Sequence, residues 1–570
     1  MDQRNVIVAI LISLAILLGF QFFYEMPRLR QQEALQQQQS ESQQQAAPPA
    51  GVAPPPVTGG TAPGSVKARE QALAAGARLR IDSARVTGSL ALEGARLDDL
   101  ILDDYKVTTA RSSPNIVLLT PRGAADAYYA EFGWLPADGS VPVPGPETPW
   151  RAGNDRLSPD QPATLTWDNG RGLVFERTIA LDRDFLFTVT DRVRNDGGEP
   201  VTLYPYARIV RAGTPKTLGF YILHEGLIGV LDGTLKEVDY DDVAEDGPVR
   251  LESHGGWLGI TDKYWLVALA PDQSAAIQAE FVHSLTDGID HYQADYRGEP
   301  VTVADGGTAE TVSRLFAGAK EVKLLERYRD ELGLPLFERA VDFGLLWFLT
   351  KPIFWALDYL NRVVGNFGIA ILLLTVAIKL VFLPLANKSY RAMSQMKKLT
   401  PEMTKLRERF PDDRQRLSQE MMALYKREKV NPVSGCLPVV VQIPVFFALY
   451  KVLFVTIEMR HAPFYGWIRD LSAPDPTSIF NLFGLIPWMP PALLGIGAWP
   501  LIMGVTMFMQ QRLNPPPPDP VQAKVFMALP VVFTFMLAQF PAGLVVYWAW
   551  NNVLSILQQR FIMWRMGVKP

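Results

Sequence analysis

Gly368-Ile-Ala-Ile-Leu-Leu-Leu-Thr-Val-Ala-Ile-Lys-Leu-Val-Phe-Leu-Pro384 is apolar at every position except Thr375 and Lys379. A run of about 20 such residues has the length of a membrane-crossing helix. A full positive charge at the centre of one costs about 2.5–3.5 kcal/mol on insertion scales. Lys379 stands six residues before Leu385, about 9 Å along a helix, so its four-carbon stem could instead carry the ammonium out to the headgroups. Thr375 lies four residues earlier, on the same helix face. Gln442, Gln510, Thr534 and Asn551 place further polar groups in other apolar runs. Together these residues predict a hydrated cavity among helices; singly, each also suits a hydrogen bond to a neighbouring helix.

Outward from this stretch the chain is rich in similar runs. Of 570 residues 48% are apolar and only 20% charged, below the roughly 25% charge of an ordinary soluble chain. Further spans are expected at Cys436–Ile457, about Gly495–Gln511, Phe526–Phe540 and Leu544–Met563. The Phe526 run is short, about 22 Å as a helix against a hydrocarbon core near 30 Å, and a short span beside a polar cavity thins the bilayer locally. Val6–Phe23 follows Arg4 and precedes no small-residue cleavage site, so residues 1–30 read as an uncleaved anchor. Residues 31–66 hold nine Gln and six Pro and read as a disordered tether.

Between 67 and 332 the texture changes. In Phe185-Leu-Phe-Thr-Val-Thr-Asp-Arg-Val193 apolar residues fall on odd positions, the period of a half-buried strand. Asn195-Asp-Gly-Gly198 supplies a turn, and Val201–Val210 returns as a second strand. Leu79–Leu92, Trp257–Ala268 and Val301–Phe316 carry similar patterns. The expectation is one large antiparallel β-sandwich. Residues 333–365 read as an amphipathic helix lying in the membrane interface, cut at Lys351-Pro352.

The block 386–435 carries 12 Lys and Arg against 6 Asp and Glu. Met396, Leu399, Met403, Leu406 and Phe410 step by alternating threes and fours, and Leu417, Met421 and Leu424 continue the seam beyond Pro411-Asp-Asp413. That pattern predicts an antiparallel helical hairpin. Its positive charge places it in the cytoplasm, whereas 458–494 holds only two basic residues. Six transmembrane helices with both termini cytoplasmic satisfy every loop, and the β domain then lies in the periplasm of a cell with an inner membrane.

The sequence argues against covalent chemistry. It has no phosphate-binding loop, no His-Glu-x-x-His and no Gly-x-Ser-x-Gly. Its five histidines never reach ligand spacing, and Cys436 is the only cysteine, so neither a metal site nor a disulfide framework is expected. A net charge of −4 argues against general nucleic-acid binding. An anion-selective channel or small-ion transporter using Lys379, or an anchored periplasmic enzyme acting on carbohydrate, are rival readings.

Residues 366–460 resemble the YidC membrane protein insertase family. The resemblance is carried by Arg414-Gln-Arg-Leu-Ser-Gln-Glu-Met-Met-Ala-Leu-Tyr-Lys-Arg-Glu-Lys-Val-Asn-Pro432, by Gly435-Cys-Leu-Pro438, and by Gln442-Ile-Pro-Val-Phe-Phe-Ala-Leu-Tyr450. Phe540-Pro-Ala-Gly-Leu-Val-Val-Tyr547 resembles the family's turn before its last helix. The resemblance implies a five-helix core (366–570) around a hydrophilic groove, with Lys379 at the position of the family's basic residue. Lys keeps the charge of the commoner Arg but not its bidentate fork. Tyr547-Trp548 stands where some members have Tyr-Tyr, so either ring is a candidate for substrate contact. The implied substrate is the nascent membrane protein. The implied partners are the Sec translocon, the ribosome, the signal-recognition targeting receptor and lipid, without a cofactor. Lys397, Lys398, Arg407, Arg409, Arg414 and Arg416 are the hairpin residues expected to meet the ribosome-borne chain or its receptor. Only Met563–Pro570 follows the last span, so docking through a long basic tail is not expected.

Overall fold

The computed structural model describes residues 68–139, 141–217, 223–411, 413–428, 430, 437–484, 486, 495–514 and 520–567. The expected anchor, the tether and Cys436 lie outside them. The described chain forms two compact units, one of residues 68–345 with Val455–Glu458, the other of residues from 346 onward without that short segment.

The first unit is built from an eleven-stranded and a nine-stranded sheet. Their pairings are antiparallel, apart from Arg78–Asp82 beside Arg156–Leu157. Leu186–Asn195 buries Phe187, Val189, Asp191 and Val193 and turns Arg192 and Arg194 outward, the expected alternation. Strands predicted as single pieces are divided. Leu79–Leu92 becomes Arg78–Asp82 and Val86–Ala91, because Ser83 Oγ accepts from the N–H groups of Arg85 and Val86 and closes a turn. Trp257–Ala268 and Val301–Phe316 are likewise each two strands.

The turn at Asn195 does not make a hairpin. Leu186–Asn195 pairs with Thr308–Ala319 in the nine-stranded sheet, whereas Val201–Ala212 pairs with Tyr128–Pro136 in the other. Asn195 holds the crossing. It is fully buried, donates Nδ2 to the carbonyls of Glu199 (2.7 Å) and Val303 (2.9 Å), and accepts from Gly197 N. Residues 333–345, expected to belong to an interfacial helix, instead pack on this unit. Gly333 ends the helix Val322–Leu332 at φ 67°, and Trp257 Nε1 donates to Pro335 O (2.9 Å) with its ring edge-on to Phe337.

The second unit is helical. Its helices are α1 Trp347–Val364, α2 Phe367–Val381, α3 Leu383–Arg409, α4 Arg414–Arg427, α5 Leu437–Val455, α6 Ala498–Leu513, α7 Pro520–Leu537 and α8 Ala542–Arg565. α1 continues through Pro352, where a break was expected. Pro352 removes one hydrogen bond, but Ile353, Phe354 and Leu357 are buried on the inner face while Phe348, Trp355, Tyr359 and Val363 are exposed. Asn366 caps α2, its Oδ1 accepting from Ile369 N.

The decisive run Phe367–Leu385 is not one helix. α2 stops at Val381 and α3 leaves at 70°. Pro384 cannot donate to Leu380 O, and it bars Leu383 from continuing the preceding helix without strain. Lys379 is therefore three residues from a bend, not six from a helix end. Among the described residues no single helix is long and apolar enough to cross a membrane, while α2 and α3 together meet that measure across their bend. α8 reaches 24 residues but carries Asn551, Asn552, Ser555, Gln558 and Gln559.

The hairpin seam forms between α3 and α4, where Met396, Leu399, Met403, Met421, Leu424, Tyr425 and Val430 make one buried cluster. Phe410 is not in it. It ends α3, and its ring lies beneath the guanidinium groups of Arg409 and Arg416, 5.7 and 5.4 Å from the centroid.

Candidate functional site

Five helices of the second unit wall a cavity of about 820 Å³, counting its open mouth. Thr375 and Lys379 come from α2, Tyr390 from α3, Gln442 from α5, Gln510 from α6, and Tyr547, Asn551 and Ser555 from α8. Ile378, Phe382, Leu385 and Val445 supply apolar wall between the polar groups.

Lys379 is half-buried, and its Nζ donates to Ser555 Oγ at 2.8 Å. Among the described residues no carboxylate lies within 4.0 Å of that nitrogen. An ammonium has three donors and no acceptor, so two of its N–H groups are left for water or a visiting acceptor. Thr375 is almost fully buried, and its hydroxyl donates to Ile371 O in its own helix (2.7 Å), so only its lone pairs remain for the cavity. Gln442 Nε2 and Tyr547 Oη approach to 3.4 Å across it. Ser555 Oγ donates to Asn551 O at 2.8 Å.

Two residues expected in the groove are elsewhere. Thr534 packs between α6 and α7, donating to Pro530 O, and a Cβ placed on Gly504 would lie 2.1 Å from its Oγ1. Helix packing is its role, because Gly504 lets the two backbones approach so closely. Trp548 turns away from Tyr547 into an apolar cluster with Met503, Leu537, Val545 and Ala549, its ring 4.7 Å from that of Phe446. Adjacent residues on a helix are about 100° apart, so one of the aromatic pair faces the cavity and the other leaves it.

The strongest comparisons are with whole proteins. Proteins called membrane protein insertase YidC are 52% identical in Methylorubrum extorquens (strain PA1) and 54% identical in Nitrobacter hamburgensis, in each case over 100% of this chain and 96% of the relative. This chain belongs to the YidC family. The family model described as the YidC periplasmic domain matches residues 78–356, and that of the 60Kd inner membrane protein matches 359–569. A solved active YidC insertase with its first transmembrane domain resolved is 17% identical, covering 84% of this chain and 91% of that one, with a TM-score of 0.35.

In this YidC-family chain the basic residues of the hairpin differ in surroundings. Lys398, Arg409 and Arg416 are exposed, but Lys398 Nζ also donates to Met566 O at the end of α8 (3.1 Å). Lys397 and Arg407 are half-buried, and the side chain of Arg414 lies outside the described residues. Ser555 and Tyr390 are cavity residues that sequence reasoning missed. Tyr547, Asn551 and Ser555 recur every four residues, so the polar stripe on α8 was there to be extended. Tyr390 had no such signal, because the bend at Phe382 breaks the helical spacing that would relate it to Lys379. Among the described residues no group of three His, Cys, Asp or Glu could hold a metal.

Proposed function

We propose that this protein is a membrane protein insertase, receiving nascent chains from the cytoplasm and releasing them into the inner membrane through the cavity around Lys379. The observation that carries this reading is the Lys379 ammonium, held by one hydroxyl and facing a polar hollow between helices whose other faces are apolar. Val531, Val532, Phe535 and Met536 on α7 and Ile443 and Phe447 on α5 are exposed apolar side chains of the kind that face lipid. The relatives' shared name supports the same assignment.

The work is thermodynamic. A nascent segment gains roughly 0.3–0.6 kcal/mol per central Leu, Ile, Phe or Val on entering lipid, while its polar or acidic flank resists. Lys379 with the lone pairs of Thr375, Gln442, Tyr547, Gln510 and Asn551 offers that flank a wet intermediate position. No nucleotide enters the cycle. In this reading the chain crosses the membrane six times with both termini in the cytoplasm. The β unit is periplasmic, and the exposed cations of the α3–α4 hairpin meet the ribosome, the targeting receptor or the Sec translocon.

The test is insertion of a short single-span substrate into vesicles containing only this protein. Lys379→Ala should lower the protease-protected yield about tenfold or more, and Lys379→Arg should retain most of it. Full insertion by a folded Lys379→Ala protein would overturn the requirement for the charge. Ion flux without insertion would favour a channel instead.

A further inference from the structure

Lysine reaches its ammonium through four rotatable bonds, so a charge of defined position needs an acceptor of defined position. Lys379 has one such partner among the described residues, Ser555 Oγ at 2.8 Å. Ser555 is nearly fully buried, and its own proton is committed to Asn551 O, one turn back on α8. A hydroxyl that has given its proton away can only accept, so its lone pairs form a fixed socket for the ammonium. Tyr390 lines the same cavity. Tyr390 is buried with Ala386 and Ile562 at the root of the hairpin, where α3 crosses α8. Two elements thus meet at one oxygen, α2 through Lys379 and α8 through Ser555.

We infer that Ser555 is a positioning residue that aims the Lys379 ammonium into the cavity. The inference rests on the proposed role of Lys379, and its effect is read on substrates whose translocated flank carries a carboxylate. Two N–H groups of a held ammonium can meet such a group without first paying to immobilise the lysine stem. A neutral flank gains less from the aim, because it depends less on the charge.

The experiment uses the full chain in vesicles and two single-span substrates that differ only by Asp or Asn in the translocated flank. The readout is the ratio of Asp-substrate to Asn-substrate insertion. Ser555→Ala should lower this ratio by about threefold to tenfold, the range expected when an ordinary net hydrogen bond is lost. Ser555→Thr keeps the hydroxyl and should preserve the ratio. An unchanged ratio in Ser555→Ala, including an equal loss on both substrates, would overturn the inference, as would failure of Ser555→Thr to preserve it. Lys379→Ala separates the two levels. If it lowers the ratio while Ser555→Ala does not, the positioning fails and the role of Lys379 stands. If it changes neither ratio nor yield, the role of Lys379 fails and takes the positioning with it.

Discussion

Asp191 sits on an odd position of Leu186–Asn195, where the alternation calls for an apolar side chain, and Arg177 breaks the same rule opposite it on Leu173–Leu181. Each accounts for the other. Arg177 is 1% exposed and binds both carboxylate oxygens of Asp191, at 2.7 and 3.1 Å, then reaches Phe132 O in the other sheet at 2.6 Å. A buried charge is tolerable only when paired and fully hydrogen-bonded, so two apparent violations of the pattern form one inter-sheet bridge. Asp295 is a different case. It is buried between Arg208 and Glu280 in register, accepts from Gln293 Nε2, and is pushed up to about 7 chiefly by burial. The folded state therefore keeps a proton that the unfolded chain loses above about pH 4. Stability should fall as pH rises from about 4 to about 7 and level off above that, a difference of a few kcal/mol. Asp295→Asn should flatten this slope and raise stability at pH 8, as measured by denaturant unfolding of the β unit at several pH values. An unchanged pH profile would show that Asp295 does not hold the proton.

At the scale of elements, the seam of the α3–α4 hairpin was legible because apolar residues seldom keep a step of threes and fours for so long unless two helices pack along it. Its end was not. Phe410 continues the arithmetic but lies past the last turn of α3, where Arg409 and Arg416 cover it outside the buried cluster. Leu424→Ala should therefore weaken the hairpin by about 2–5 kcal/mol and Phe410→Ala by much less, read as amide-exchange protection along α3 and α4. Equal effects would return Phe410 to the seam. Prolines misled in both directions. Pro352 lies inside a continuous helix, while Pro384 marks a real bend. Pro530 shows how an interior proline is accommodated, since Gln511 of α6 donates to Phe526 O, the carbonyl that Pro530 leaves without its helical donor.

Across the whole molecule, the cavity assembles residues as distant as Thr375 and Ser555, and its membership depended on which way each helix is rotated. Thr534 and Asn551 looked equivalent as polar groups in apolar runs. One is locked against Gly504, the other lines the hollow. In a Cys436→Ser background, Asn551→Cys should react with a water-soluble maleimide and Thr534→Cys should resist it. Reaction at neither site would mean the hollow is dry.

Composition and periodicity were sufficient for the division into a β-rich and a helical part, for the hairpin, and for Lys379 as the exceptional charge. These rest on local physics: a two-residue or near-seven-residue repeat, and the cost of a cation in a long apolar run. Packing alone decided that the Asn195 turn changes sheets, that Tyr547 and Trp548 part company, and that Ser555 holds the ammonium. Each of these depends on a partner far along the chain, and only the closed tertiary structure brings such partners within hydrogen-bonding distance.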